Sequence, residues 1–188
     1  MIGVYEDTKM DFTSLSMLST MQLQEIAETI CADALERARP PATRSRHKSS
    51  LKDLLQSPNF QQRFKVGLAK GLVNLLAAHD ERVLSAYLFQ ETTRSYTPAE
   101  ARSAPTVKTN LLILVRNRSA ALHVLATSLD QALVREIHKL PLPSSLLDRH
   151  ETLLNPIFIT EADMTQHKGY AMLLSSALVP PLTIWRRD

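Results

Sequence analysis

From Ser14 to Arg37 the apolar residues Leu15, Leu18, Ile26, Ile30 and Leu35 recur at helical spacing, joined by Met21, Leu23, Ala27 and Ala34. The pattern predicts one helix over 14–37, with Ser14 as its cap. Arg39-Pro40-Pro41 ends it, because proline lacks an N–H and disfavours a helical residue before it. Ser50 followed by Asp53 has the spacing of a helix start, with Asp in place of the usual Glu. Ser57-Pro58 is a clearer start: a capping serine with proline at the first helical position. The helix that follows, to about His79, has Phe60, Phe64, Leu68, Leu72, Leu75 and Leu76 as its apolar stripe. Gly67 and Gly71 share a face of it. Each costs about 1 kcal/mol of helix propensity relative to alanine, which close approach of another backbone would offset. A phosphate-binding glycine turn is the other reading, but the strand-to-helix context it needs is missing.

The second half alternates strands and helices. Arg82–Gln90 is apolar on both alternating faces, which predicts a strand covered on both sides. Residues 91–106 form a polar stretch with Pro98 and Pro105, longer than the usual ~4–6-residue connection. It reads as a functional loop or as a short extra helix near 98–103. Val107–Val115 is the second strand. Ser119 caps a helix over 120–139 whose stripe is Leu122, Leu125, Ala126, Leu129, Leu133 and Ile137. Pro141 and Pro143 break the chain. Leu153–Thr160 is a third strand, and Pro156 within it argues for an edge position or a bulge. Thr160 with Asp163 starts a helix over 161–178, with an interruption expected at Gly169; Leu182–Trp185 is a terminal strand before Arg186-Arg187. The interleaving predicts an α/β (α+β) fold with a mixed sheet of about four strands covered by helices. The organisation expected is an N-terminal helical segment (1–38), a Pro/Arg/Ser linker (39–49) and an α/β domain (50–188).

With 188 residues and 44% hydrophobic content, the chain is long enough to bury one full core. Its single cysteine, Cys31, forms no intramolecular disulfide and no cysteine cage for zinc, and reads as a buried structural thiol rather than a nucleophile. The net charge of +3 is unevenly placed. Residues 1–38 carry seven acids against two basic residues, whereas 39–52 carry five basic residues and no acid. Within that stretch Arg44, Arg46 and Lys48 are candidate nucleic-acid contacts, since clustered cations bind phosphate by releasing counterions; a solvated linker is the plainer reading. No window approaches the ~18 apolar residues of a membrane span. Met1–Asp11, with Glu6, Asp7 and Asp11, lacks the apolar run of a secretory signal. The expectation is therefore a cytoplasmic protein with no membrane partner.

Three features together resemble the nucleotidyltransferase fold of the DNA polymerase β superfamily, in its minimal members. A helix leads into a strand ending Tyr87-Leu88-Phe89, similar to the family's apolar strand before its Gly-Ser turn. The strand Asn110-Leu111-Leu112-Ile113-Leu114-Val115 is similar to the family's Asp-x-Asp strand with its apolar residues. A crossover helix and the strand around Leu154-Asn155-Pro156-Ile157-Phe158 follow, where the family often has a third acid. The resemblance covers residues 58–188. It implies a turn of small residues against a triphosphate, and carboxylates two apart on one strand, on one face, holding two metal ions. This chain departs from that pattern at each place. Gln90-Glu91 stand for Gly-Ser, Lys108 and Asn110 for the acid pair, and Asn155 or Ile157 for the third acid.

The reading that results is a domain of that type without its metal-binding carboxylates. No catalytic residue, metal site or cofactor is expected. Its work is then binding, regulation or assembly, with self-association through the 14–37 helix as one route. The alternative is a divergent nucleotidyltransferase or nucleotide-binding enzyme with Glu91, Lys108, Asn110 and Arg116 around its cleft. Lys108 reads either as the strand's start, its amine in water, or as an anion contact.

The remaining candidates have plainer structural readings. None of the six histidines forms a His-x-x-x-His pair, and His123 and His138 lie about four turns apart on one predicted helix. Glu161 and Asp163 read as helix-capping acids before they read as a catalytic pair. Trp185 with Arg186 and Arg187 reads as a strand anchor before it reads as a base-stacking site.

Overall fold

A computed structural model describes residues 18–39, 50–92, 107–140, 152–174 and 181–187. The first helix, α1, spans Thr20–Ala38. Leu18 and Ser19 are not helical, so the helix starts later than the apolar spacing suggests, and Ser14 lies outside the described residues. Ser19 and Gln22 close a reciprocal capping box: the Gln22 N–H donates to Ser19 Oγ (3.3 Å) and the Ser19 N–H to Gln22 Oε1 (2.8 Å). Helix α2 (Leu51–Gln56) is capped by Ser50 and Asp53 in the same way, as expected. Helix α3 (Pro58–His79) corrects the reading of Ser57, whose side chain makes no capping hydrogen bond. Pro58, with no N–H to satisfy and φ already helical, starts that helix without it.

Strands β1 (Val83–Thr92), β2 (Val107–Val115), β3 (Pro156–Thr160) and β4 (Leu182–Arg186) form one mixed sheet in the order β3-β2-β1-β4. β1 pairs antiparallel with β2 and with β4. β2 and β3 are parallel, joined through helix α4 (Ala120–His138), because parallel neighbours need a crossover. β1 continues through Thr92, beyond its expected end. β3 begins only at Pro156, since Asn155 turns the chain with φ 43°. Pro156 is therefore the first residue of an edge strand, where a missing N–H is tolerated. The helix expected over 161–178 is instead two short pieces, α5 (Glu161–Thr165) and α6 (Ala171–Leu174), separated at Gly169 with φ 53°. Residues 175–178 lie outside the described residues.

One face of the sheet packs on α3 and α4, and α1 packs on those two helices. Leu88, Leu111, Ile113 and Val115 meet Phe64, Leu68, Leu129 and Leu133 in a single core that also takes Leu23, Ala27, Cys31 and Ala34 from α1. The N-terminal helix is thus a wall of the main core. The opposite face carries a smaller cluster, Leu112, Ile159 and Ala171 with Tyr87, Phe89 and Met164 around it. At the C-terminal end, Arg187 donates from Nε to the Val83 carbonyl (2.9 Å) and from Nη2 to those of Ala77 (3.0 Å) and Asp80 (3.2 Å). Its guanidinium lies 5.6 Å from the centre of the half-buried Trp185 ring. These contacts tie β4 to the end of α3.

Candidate functional site

The β1–β2 register fixes where the sequence-derived candidates stand. Glu91 is opposite Lys108, and Phe89 is opposite Asn110, at one end of the pair. Val83 is opposite Val115 at the other end, and Arg116 follows it. Six residue steps separate Asn110 from Arg116, roughly 20 Å. Arg116 therefore stands at the far end of the pair from the other three. Arg116 is exposed and donates its backbone N–H to the Arg82 carbonyl (3.0 Å). The side chains of Glu91 and Lys108 lie outside the described residues, as do Arg44, Arg46 and Lys48.

Asn110 is wholly buried. Its Oδ1 accepts from Asn155 Nδ2 at 2.7 Å, while its own Nδ2 has no partner among the described residues. The left-handed backbone at Asn155, a conformation asparagine tolerates better than most residues, carries the turn into β3. The Leu111 N–H donates to the Leu154 carbonyl (2.7 Å) beside this pair. On the other face of β2, Lys65 Nζ donates to Thr109 Oγ1 at 3.0 Å, with the lysine only 5% exposed. Sequence reading passed over Lys65. The available signal was its position within the apolar arc of α3, between Phe64 and Leu68.

A groove of about 540 Å³ runs along α4. His123, Thr127, Gln131, Arg135 and His138, three or four residues apart, form one wall, and Thr152 and Asn155 stand on the other. His123 also meets the Phe158 ring edge-on, with centroids 5.7 Å apart. At the base, buried Asp130 accepts from the backbone N–H groups of Leu154 (Oδ1, 3.0 Å) and Leu153 (Oδ2, 3.2 Å). Burial pushes its carboxyl above the ordinary carboxylate range, and those backbone hydrogen bonds only partly counter the shift. Asp130 thus fixes the turn that delivers Asn155 and β3. The two histidines, weighed singly from the sequence, share this groove. The 3–4 periodicity of polar residues on α4 was the signal for it.

No protein-family model, curated protein or solved structure matches this chain. Its chemistry is carried by its own geometry. Among the described residues, no group of three or more His, Cys, Asp or Glu is arranged to hold a metal ion. None of the described helices is long and apolar enough to cross a membrane.

Polar contacts join α1 to α4 at Arg135 and Glu136. Arg135 Nε donates to Gln24 Oε1 (3.0 Å), Gln24 Nε2 donates to Glu136 Oε1, and Lys139 Nζ donates to the same oxygen (2.6 Å). Burial raises the Glu136 carboxyl, but the Lys139 and Gln24 hydrogen bonds outweigh it and leave it below its ordinary value. Burial, with the Glu136 charge, pushes the Cys31 thiol up to about 11. The apolar face of α1 is buried within the fold, so self-association through this helix would use its outer face. That face carries Glu25, Glu28 and the Asp33–Arg37 pair (2.7 Å).

Proposed function

We propose that this chain is a non-catalytic binding or assembly module built on a nucleotidyltransferase-like domain. The observation that carries the reading is the hydrogen bond between Asn155 Nδ2 and Asn110 Oδ1 (2.7 Å). These residues stand where the resemblance places metal-binding acids, and they are neutral amides bonded to each other. A divalent cation gives up strongly held water, and carboxylates repay that cost far better than a single amide oxygen that already accepts a hydrogen bond. The adjacency of β1, β2 and β3 supports the scaffold part of the reading, since the resemblance rests on those three strands.

The test incubates the full chain with each of the four ribonucleoside triphosphates, with and without magnesium. The expected result is no nucleotide turnover and no magnesium-dependent rise in melting temperature, which ligand linkage would produce for any ligand preferring the native state. Turnover that requires magnesium and is lost in Asn110→Ala would overturn the reading in favour of a divergent enzyme.

A further inference from the structure

We infer that the α4 groove is a binding site for a small molecule bearing an anionic oxygen group, phosphate or carboxylate, held at its Arg135–His138 end. The inference rests on the binding-module reading and adds a place and a ligand chemistry to it. Three observations carry it. The first is size: about 540 Å³ falls within the range of small-molecule pockets.

The second is the sign of what the groove presents. Gln131, Arg135 and His138 are exposed along successive turns of α4, so an amide, a guanidinium and an imidazole can donate to one anion. Asp130, the acid at the base, is 1% exposed, and each of its oxygens already accepts a backbone N–H. The C-terminal end of α4 opposes an anion, but with about half an elementary charge against the full charge of Arg135. Lys139 and Glu136, the other charged pair at this end, neutralise each other at 2.6 Å. Among the described residues that line the groove, the exposed charge is the positive one of Arg135.

The third is pre-organisation. Gln24 Oε1 holds Arg135 by Nε, which leaves both Nη groups of the guanidinium for a fork-like contact with two anionic oxygens. Among the described residues no carboxylate forms a salt bridge with Arg135, so an incoming anion displaces no internal ion pair.

The experiment titrates the full ¹⁵N-labelled chain with sodium pyrophosphate and, separately, with sodium citrate, in magnesium-free buffer at low salt. Saturable shift changes centred on Gln131, Arg135 and His138 are expected with at least one of the two. Saturation by pyrophosphate alone identifies phosphate as the ligand group, and saturation by citrate alone identifies carboxylate. Arg135→Gln should weaken binding by roughly tenfold, the worth of one charge-assisted hydrogen bond. Because that variant also loosens the α1 contact, His138→Gln serves as a second probe. Among the described residues the His138 side chain makes no hydrogen bond or ion pair, and its loss should weaken binding about threefold, as for one ordinary hydrogen bond. Absence of saturable binding by either anion overturns the inference, as does binding that both variants leave unchanged. Neither result touches the magnesium-dependent turnover that tests the module reading, so the two can fail separately.

Discussion

Gly67 on α3 lies so close to Ala34 on α1 that an added Cβ would stand 2.9 Å from the Ala34 Cβ and 3.0 Å from its Cα. The Ala34 Cβ and Cα, both fixed to the α1 backbone, occupy the space, and neither is the end of a flexible side chain. Gly67→Ala gains about 1 kcal/mol of helix propensity and should still lose stability, because overpacking a fitted contact costs about 1–3 kcal/mol. Urea unfolding should give a net loss of about 1 kcal/mol. A variant more stable than the parent would mean that α1 does not sit this close to α3.

The Asn110–Asn155 pair makes a second expectation. Asn155→Ala removes the donor to a buried oxygen and places alanine where φ is positive, which asparagine tolerates better. The loss should be about 2 kcal/mol by chemical denaturation. Asn155→Gly relieves the backbone but not the lost hydrogen bond, and should fall between the parent and the alanine variant. Equal stability of all three would show that the amide pair contributes nothing.

These two cases mark what the sequence makes legible. The paired glycines carry an energetic cost in a helix, so a close approach could be inferred before the partner was known. The four strands were visible because their apolar runs are bounded by Pro and polar turns. The cap at Ser19 was missed because apolar spacing continues N-terminal to it, through Leu15 and Leu18. The split of the last helix was legible only as one glycine. The polar periodicity of α4 marks one wall of its groove, but which turn stands opposite, 152–155, is a tertiary fact with no local signature. The roughly 20 Å between Asn110 and Arg116 follows from strand length alone. Arg116 and Asn110 are close in sequence yet stand at opposite ends of the β1–β2 pair.

Asp130 holds the turn before β3, so Asp130→Ala leaves two backbone N–H groups unpaired and should cost about 2–3 kcal/mol. The pH dependence has a definite sign. Burial raises the folded carboxyl above its unfolded value. The aspartate's contribution is then fully present below the ordinary carboxylate pKa and declines as pH rises through the raised one. The gap between parent and variant should be widest near pH 4 and narrower at pH 7, as read by urea midpoints at the two values. A gap that widens towards neutral pH would contradict the direction of the shift.

Cys31 yields the last expectation, and its logic runs through the unfolded chain. The thiol is 5% exposed and pushed up to about 11 from 9.0, by burial first and the Glu136 charge second. The folded state favours the neutral thiol, so that preference stabilises the fold fully below pH 9 and is lost as pH rises through 11. The parent should therefore lose melting temperature faster than Cys31→Ala between pH 9 and 11. At pH 8 the shift alone lowers the thiolate fraction roughly a hundredfold, since the thiolate is the reacting form. An aromatic disulfide reagent should accordingly label the native chain far more slowly than the chain in urea. Rapid labelling of native protein at pH 8 would mean that α1 opens from α4 readily, and that the Gln24–Glu136–Lys139 contacts do not hold the two helices together.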